Sequence, residues 1–530
     1  MPECVRQRLQ ALRERGCVNC LRNGRHGIEK ESLRVDAAGH IARTPHPPAL
    51  GSALTHDSIT TDYSEALLEF VTPPFHDVSD TLSHLMELHA FTARQLQSAG
   101  EILWATSMPC ALGEDKDIPI AWYGKSNVGR MRHVYRHGLG YRYGRAMQVI
   151  SGVHYNYSLP ESFWKLFAQN ELPDTPLREV RDQFYFGLIR NFQRRGWILP
   201  YLFGASPAVC KSFLQGRSAH FENFDDNTLF DPWATSLRMS DIGYKNKNQA
   251  GLGISYNDLT SYTETLERAT RTPDPEYERI GVRVDGAYRQ LNSNMLQIEN
   301  EYYSFIRPKQ PTAPGERPVH ALRNRGVEYI EVRALDVCAF DPLGVNASQL
   351  RFIEAFLLYC LLLDSPPLSE LEEREIDVNQ ERVACRGRQP GLELFRNGET
   401  ILLKDWAAEI LQGMQGVCEL LDANHSGTGY GDALAEQQAR VDDPDLTPSA
   451  RMLEEMRASG ESFSDYALRL SRSHMQHYLD QPLPESAEQA LAAAARTSLK
   501  KQEEIEVAET RSFEEHLRRY FEPEAAPGEE

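Results

Sequence analysis

The sequence predicts an α+β fold, on three observations. Short runs with a two-residue apolar period cluster between Gly27 and Val71 and recur near residues 147–158 and 327–336. Longer stretches with helical spacing follow or separate them, and become nearly continuous after about residue 370. The two kinds do not alternate regularly, which argues against a βαβ architecture.

In chain order, the first 20 residues read as a short helix with Leu9 and Leu12 on one side. Ser32–Val35, Ser58–Thr61 and Ala66–Val71 read as strands, closed by Pro73-Pro74. A helix follows, with Asp77 or Ser79 as its N-cap and Leu82, Leu85 and Met86 at helical spacing. Residues 147–158 alternate as a strand, 183–201 are helical, and 286–306 and 327–336 contain further strands. Leu350, Ile353, Leu357 and Leu361 mark a buried helix stopped by Ser365-Pro366-Pro367. The expected organisation is a core over residues 1–400 and a mainly helical part over 401–530, with an acidic tail frayed from about Glu522.

The chain has 530 residues and a formal net charge of −19, which disfavours general nucleic-acid binding. Its apolar run from Phe352 to Leu363 contains Glu354 and is too short for a membrane span of about 20 residues. The N-terminal residues are polar, and nine scattered cysteines offer no complete disulfide framework. These features predict a cytoplasmic protein with reduced thiols and no membrane association. Cys17 and Cys20 form a lone CxxC without a second pair nearby, so zinc is not expected. There is no GxxxxGK[ST] loop and no GxSxG elbow.

The informative pattern is a set of acids inside strand-like segments. Glu29 and Glu31 in GIEKESLRV share one strand face. Adjacent carboxylates repel unless cations lie between them; a solvated edge near Lys30 and Arg34 is the competing reading. Glu69 lies opposite the face of Leu68 and Phe70, with Asp62 at the end of the preceding strand. Glu331 and Arg333 share a face opposite Ile330, Val332 and Ala334, an arrangement suited to a metal-bound phosphate or to a structural ion pair. His154 shares a face with Asn156 and Ser158, and would be one nitrogen ligand in an oxygen-rich site. Oxygen-rich donors select Mg2+ or Mn2+. Residues 130–145 are basic with Tyr135, Tyr141 and Tyr143 interleaved, which reads as a polyphosphate-binding loop against the alternative of a solvated helix. Arg238 and Tyr244 offer a carboxylate clamp and a phenol donor.

Seven segments carry a specific resemblance: GIEKESLRV at 27–35, HPPALGSALTHDSITTDYSEALLEFVTP at 46–73, ISGVHYNYSLP at 150–160, PYLFGASPAVCKSFLQG at 200–216, ATSLRMSDIGY at 234–244, LQIENEYYSFIRPK at 296–309 and EYIEVRALD at 328–336. In this order they resemble the proteobacterial glutamate–cysteine ligases. That resemblance implies a glutamine synthetase-like catalytic fold, a curved, mainly antiparallel sheet forming a funnel surrounded by helices. It implies ATP-dependent joining of the L-glutamate γ-carboxylate to the L-cysteine amine, the first step of glutathione synthesis, with Mg2+ or Mn2+ and a monomeric protein. By matching position it groups Glu31, Asp62 and Glu69 around one ion and Glu29, His154 and Glu331 around another. Arg333, assisted by Arg136, would stabilise the transferring phosphoryl group. Tyr244, Tyr303 and Arg238 would bind the cysteine carboxylate, and Tyr63, Tyr135 and Gln148 would surround its side chain. Tyr63 stands where a phenylalanine is known in the family. The rival readings are a related ligase with another amine acceptor and a Mg2+-dependent phosphohydrolase.

Overall fold

The computed structural model describes residues 1–16, 18–21, 23–216, 220–243, 249, 251–423 and 428–522. Its centre is a seven-stranded antiparallel sheet. The strands are β1 (Arg25–Val35), β2 (Ile59–Thr61), β3 (Leu67–Val71), β4 (Ile102–Leu103), β5 (Gly152–Ser158), β6 (Ile306–Lys309) and β7 (Tyr329–Asp336). Their order is β6-β7-β5-β1-β3-β2, with β4 paired to the far end of β1. The sheet is open, with β2 and β6 at its edges.

Because side chains alternate across a strand, the sheet has two chemically different faces. One carries Ile28, Leu68, Phe70, Val153, Tyr155, Ile330 and Val332, all buried in the main apolar cluster. The helices α1 (Glu3–Glu14), α2 (Val78–Leu96), α4 (Leu177–Arg195) and α5 (Ala347–Leu362) contribute to that cluster. The other face carries the acids. The expected N-cap is Asp77, whose carboxylate accepts from Ser79 N at the start of α2. Lys30, on the apolar face, is buried; its Nζ donates to Ser32 Oγ at 2.8 Å and lies 2.8 Å from His89 Nε2 on α2. Burial brings that ammonium down to about 7.

Residues 127–143 form α3 (Asn127–Tyr143) rather than a loop. Ser126 caps it, accepting from Gly129 N, and nothing between the two ends breaks the helix. The density of arginine and tyrosine suggested a polyphosphate-binding loop, but these residues are compatible with a helix once their faces find partners. Arg142 and Glu301 make a fully buried pair at 2.8 Å, and Tyr143 Oη also donates to Glu301. Segment 286–306 is mostly irregular, with a two-residue strand at Ala287–Tyr288 and a single 3-10 turn at Glu299–Glu301 before β6 begins. Residues 147–149 are likewise a 3-10 turn, and the strand starts at Gly152.

Beyond α6 (Glu370–Arg386), the chain is mainly helical: α7 (Leu403–Asp422), α8 (Phe463–Asp480), α9 (Glu485–Ala508) and α10 (Phe513–Phe521) belong to this part. Trp406 and Ile410 of α7, Met475 of α8 and Leu491 of α9 lie in the same apolar cluster as the sheet, so no break in the core separates them from it. No helix among the described residues is long and apolar enough to cross a membrane.

Removing one partner of a buried ion pair leaves the other charge uncompensated. Glu301→Ala should therefore cost about 3–5 kcal/mol in urea unfolding, and an unchanged midpoint would show that Arg142 has no need of this carboxylate.

Candidate active site

Strand pairing assembles the acidic face directly. Glu29 lies opposite His154 on β5, and Glu31 lies opposite Glu69 on β3. Asn156 of β5 lies opposite Glu331 of β7, which in turn lies opposite Arg307 of β6. Directly paired residues point to the same side of a sheet, so side chains separated by some 300 residues share one surface.

His154 Nδ1 is 3.2 Å from Glu29 Oε2 and 3.9 Å from Glu331 Oε1. Ligand atoms of these three residues all lie within 4.8 Å of one another. Asn156 Nδ2 donates to the other oxygen of Glu29 at 3.0 Å, which orients that carboxylate. Glu331 is fully buried; its Oε1 is 3.2 Å from Arg333 Nη1 and 3.3 Å from Lys309 Nζ. Glu331 Oε2 and His154 Nε2 are buried without a hydrogen-bond partner among the described residues. Buried polar atoms are rarely left this way unless a ligand completes them.

The second acidic group is more open. Glu31 Oε2 accepts from Gly152 N at 2.6 Å. Burial, together with the Asp62 charge, pushes the Glu31 carboxyl up to about 8. Glu69 is driven well above the usual carboxylate range by burial and then by the charges of Asp62, Glu29 and Glu31. Asp62 follows the end of β2, with its carboxylate 3.7 Å from Arg136 Nη2. The Asp62 carbonyl accepts from Arg136 Nε and from Tyr123 Oη. Arg136 also stacks on the Tyr123 ring, 4.6 Å from its centroid.

Electrostatics differ across the face. Burial and the Glu331 charge oppose ionisation of Glu29, but the His154 hydrogen bond and the Lys309 charge outweigh them and lower its pKa. Glu331 is held well below the usual range; Lys309, Arg333 and His154 overcome its burial. Burial, and then the Arg333 charge, lowers His154, which favours a neutral imidazole.

The remaining expected residues fall into two places. Gln148 and Tyr303 are joined side chain to side chain, Gln148 Nε2 to Tyr303 Oη at 2.9 Å, and Tyr143 meets Tyr303 edge-on. Tyr63 is buried, and Tyr135 is half-buried on α3. Arg238 is fully buried, with a nitrogen 3.8 Å from Asp336 and another donating to the Arg333 carbonyl at 3.0 Å. It thus stands directly behind Arg333. Tyr244 and Cys17 lie outside the described residues. A cavity of about 550 Å³ adjoins Arg333, lined in part by Met239, Ile254, Tyr256, Tyr302, Tyr303 and Phe305.

Lys309 was not singled out from the sequence as a site residue. The available signal was its two-residue spacing from Arg307 in a segment that pairs with the strand of Glu331. Of the basic stretch 130–145, Arg132 and Arg136 act electrostatically on Glu69, while Arg142 is buried and paired with Glu301.

Residues 9–383 match the family model described as glutamate-cysteine ligase. The chain belongs to the glutamate–cysteine ligase family. A glutamate–cysteine ligase of Azotobacter vinelandii is 53% identical over 523 residues, 98% of each chain. The crystal structure of a glutamate–cysteine ligase from Francisella tularensis in complex with AMP is similar at a TM-score of 0.89 and 38% identity, covering 94% of this chain and 97% of that one. A bifunctional glutathione synthetase from Pasteurella multocida shares the fold, with a TM-score of 0.72 at 23% identity over 89% of this chain and 55% of that one. The α+β fold of the ligase family, with its antiparallel sheet, is thereby shown.

Raised carboxyls must lose protons before they can hold a cation, so metal affinity is linked to pH. Glu31, raised to about 8, keeps its proton in the free protein below that pH, and Glu69 is shifted in the same direction, so a cation bound there would displace protons. Calorimetric Mg2+ titrations should show tighter binding at pH 8.5 than at pH 6, with more protons released at the lower pH. Equal affinity and no proton release would show that both groups are already ionised.

Proposed function

We propose that the chain is an ATP-dependent ligase that joins the γ-carboxylate of L-glutamate to the amine of L-cysteine, forming γ-glutamylcysteine, ADP and phosphate. The observation that carries this reading is the convergence of Glu29, Glu31, Asp62, Glu69, His154 and Glu331 on one sheet face beside Arg333, in a chain of this family. The donor set fits a hard divalent cation: carboxylate oxygens dominate, with one imidazole and a buried unpartnered carboxylate oxygen. Glu29, His154 and Glu331 would hold one Mg2+, and Glu31, Asp62 and Glu69 another. Such ions, when bound, neutralise phosphate charge and fix the geometry of the reacting groups.

Amide formation from a carboxylate needs an activated acyl group. An oxygen of the glutamate γ-carboxylate attacks the γ-phosphorus of ATP; the bond to the β,γ-bridging oxygen breaks and ADP leaves. The cysteine amine, as its free base, then attacks the γ-glutamyl phosphate carbon and expels phosphate. Two anions meet in the first step, so fixed positive charge is the main requirement. Arg333 and Lys309 supply it from adjacent strands, and Arg238 holds the Arg333 backbone from behind. Lys309 stays charged because Glu331 and Glu29 outweigh its burial. Arg136, fixed between Asp62 and the Tyr123 ring, faces the same space from α3. Tyr63, Tyr135 and Gln148 would surround the small cysteine side chain, and Tyr303, hydrogen-bonded to Gln148, would meet the cysteine carboxylate together with Tyr244 and Arg238. The enzyme works in the cytoplasm.

The deciding assay supplies ATP and glutamate with cysteine, ammonia or other amines in turn, measuring phosphate release and product mass. Phosphate release that depends on cysteine and yields the dipeptide mass is the expected result. Release indifferent to both amino acids would indicate a phosphohydrolase.

Glu331→Gln and Glu69→Gln should each lower turnover by about 10²-fold or more while leaving the circular dichroism of the folded protein near wild type. Normal turnover in both would remove the metal-ligand assignment. Arg333→Lys should lose about tenfold or more in kcat, because an ammonium does not reproduce the planar fork; a wild-type kcat would refute its phosphoryl role.

A further inference from the structure

The helical arm at the C-terminal end of the described chain reaches two separate walls of the site. Along α9, Ser498 Oγ accepts from Ser52 N at 2.9 Å, and Gln502 Oε1 accepts from Ser52 Oγ at 2.5 Å. Segment 48–56, thus held, leads into β2: Thr60 Oγ1 donates to Ala53 O, and Ile59 N donates to His56 Nδ1. Asp62 follows immediately. At the other end of the arm, Glu506 Oε1 accepts from Lys125 N at 2.8 Å and Glu509 Oε2 accepts from Asn127 N at 3.2 Å. Asn127 is the first residue of α3, so two carboxylates meet the positive end of the helix that carries Tyr135 and Arg136. Phe513 and Leu517 of α10 then pack on Met131 and Val134 of the same helix, with Arg130 stacked 4.3 Å over Phe513.

Two glycines record how tightly both walls are drawn to the arm. Gly51 has φ of +89°, and a Cβ there would sit 2.9 Å from the Ala495 Cα of α9. Gly124 has φ of +84°, and a Cβ there would run into the side chains of Gln502 and Glu506. Both backbones turn through the left-handed region while pressed against one helix.

We propose that α9 and α10 form a positioning strut, with Glu506 and Glu509 as its contact residues on α3, which sets the separation of Asp62 and Arg136 across the site. The two groups are 3.7 Å apart, one on each wall, and the strut is bonded to both. The proposal rests on the reading of α3 as a wall of the ligase site. Glu506, Glu509 and Phe513 are positioning residues; they act through α3.

The test uses the full chain with Glu506→Ala/Glu509→Ala, the conservative Glu506→Gln/Glu509→Gln, and separately Phe513→Ala. Steady-state kinetics are combined with hydrogen exchange of peptides covering 127–143. In the alanine pair, exchange across 127–143 should rise about tenfold, while peptides from β1 and β7 keep their protection. KM for cysteine should rise and kcat/KM fall about tenfold; the glutamine pair keeps acceptors for both amides and should recover most of this. Phe513→Ala should shift exchange and KM in the same direction. Unchanged exchange in 127–143 with wild-type kinetics in the alanine pair and in Phe513→Ala would overturn the strut. Arg136→Ala separates the two readings: if it is impaired while the arm variants are normal, the strut alone falls. If Arg136→Ala is fully active, the site reading beneath the strut falls with it.

Discussion

The structure depends on carboxyls packed so closely at its centre that they resist ionising. Glu31 and Glu69 face each other across β1 and β3, with Asp62 and Glu29 close enough to raise the Glu69 carboxyl further. A sheet assembled for stability alone would not set like charges opposite each other, since such pairs destabilise the ladder. The apolar face compensates: Ile28, Leu68, Phe70, Tyr155, Ile330 and Val332 are wholly buried and hold the strands whatever the acids do. Stability resides on one side of the sheet and reactivity on the other.

The acidic face is also graded. At the β7 side, Glu331 is surrounded by Lys309, Arg333 and His154 and is held ionised. At the β3 side, burial and the neighbouring carboxylates outweigh Arg238, Arg333 and Arg136, and the Glu31 and Glu69 carboxyls are raised. One half is preorganised and the other responds to its occupant. That division suits a reaction in which a nucleotide and an amino acid enter separately and react only when both are held.

Much of this face was legible from residue spacing, and for a definite reason. A strand's two-residue period converts Glu29/Glu31 and Glu331/Arg333 directly into shared faces, and no long-range information is needed. Which strands lie side by side is a non-local fact: that Glu29 meets His154, or that Arg307 and Lys309 flank Glu331, follows from a register no short window contains. The basic run at 130–145 misled because composition does not distinguish a loop from a helix whose arginines have separate partners; Arg130 stacks on Phe513, Arg136 on Tyr123, and Arg142 is buried against Glu301. Arg238 carried a charge whose local partners no window shows: it reaches Asp336 and the Arg333 carbonyl, about 100 residues away along the chain. Helices after residue 370 were foreseen as a class, but the contacts of α9 with two distant loops depend on tertiary placement alone.

Lys30 sits between the two glutamates of β1 and turns to the opposite side, where Ser32 and His89 receive it. Inserting or deleting a single residue upstream within this strand would exchange the sides, delivering an ammonium to the cation-binding surface and two carboxylates to the oily interior. Length changes in β1 are thus barred by chemistry at both surfaces at once.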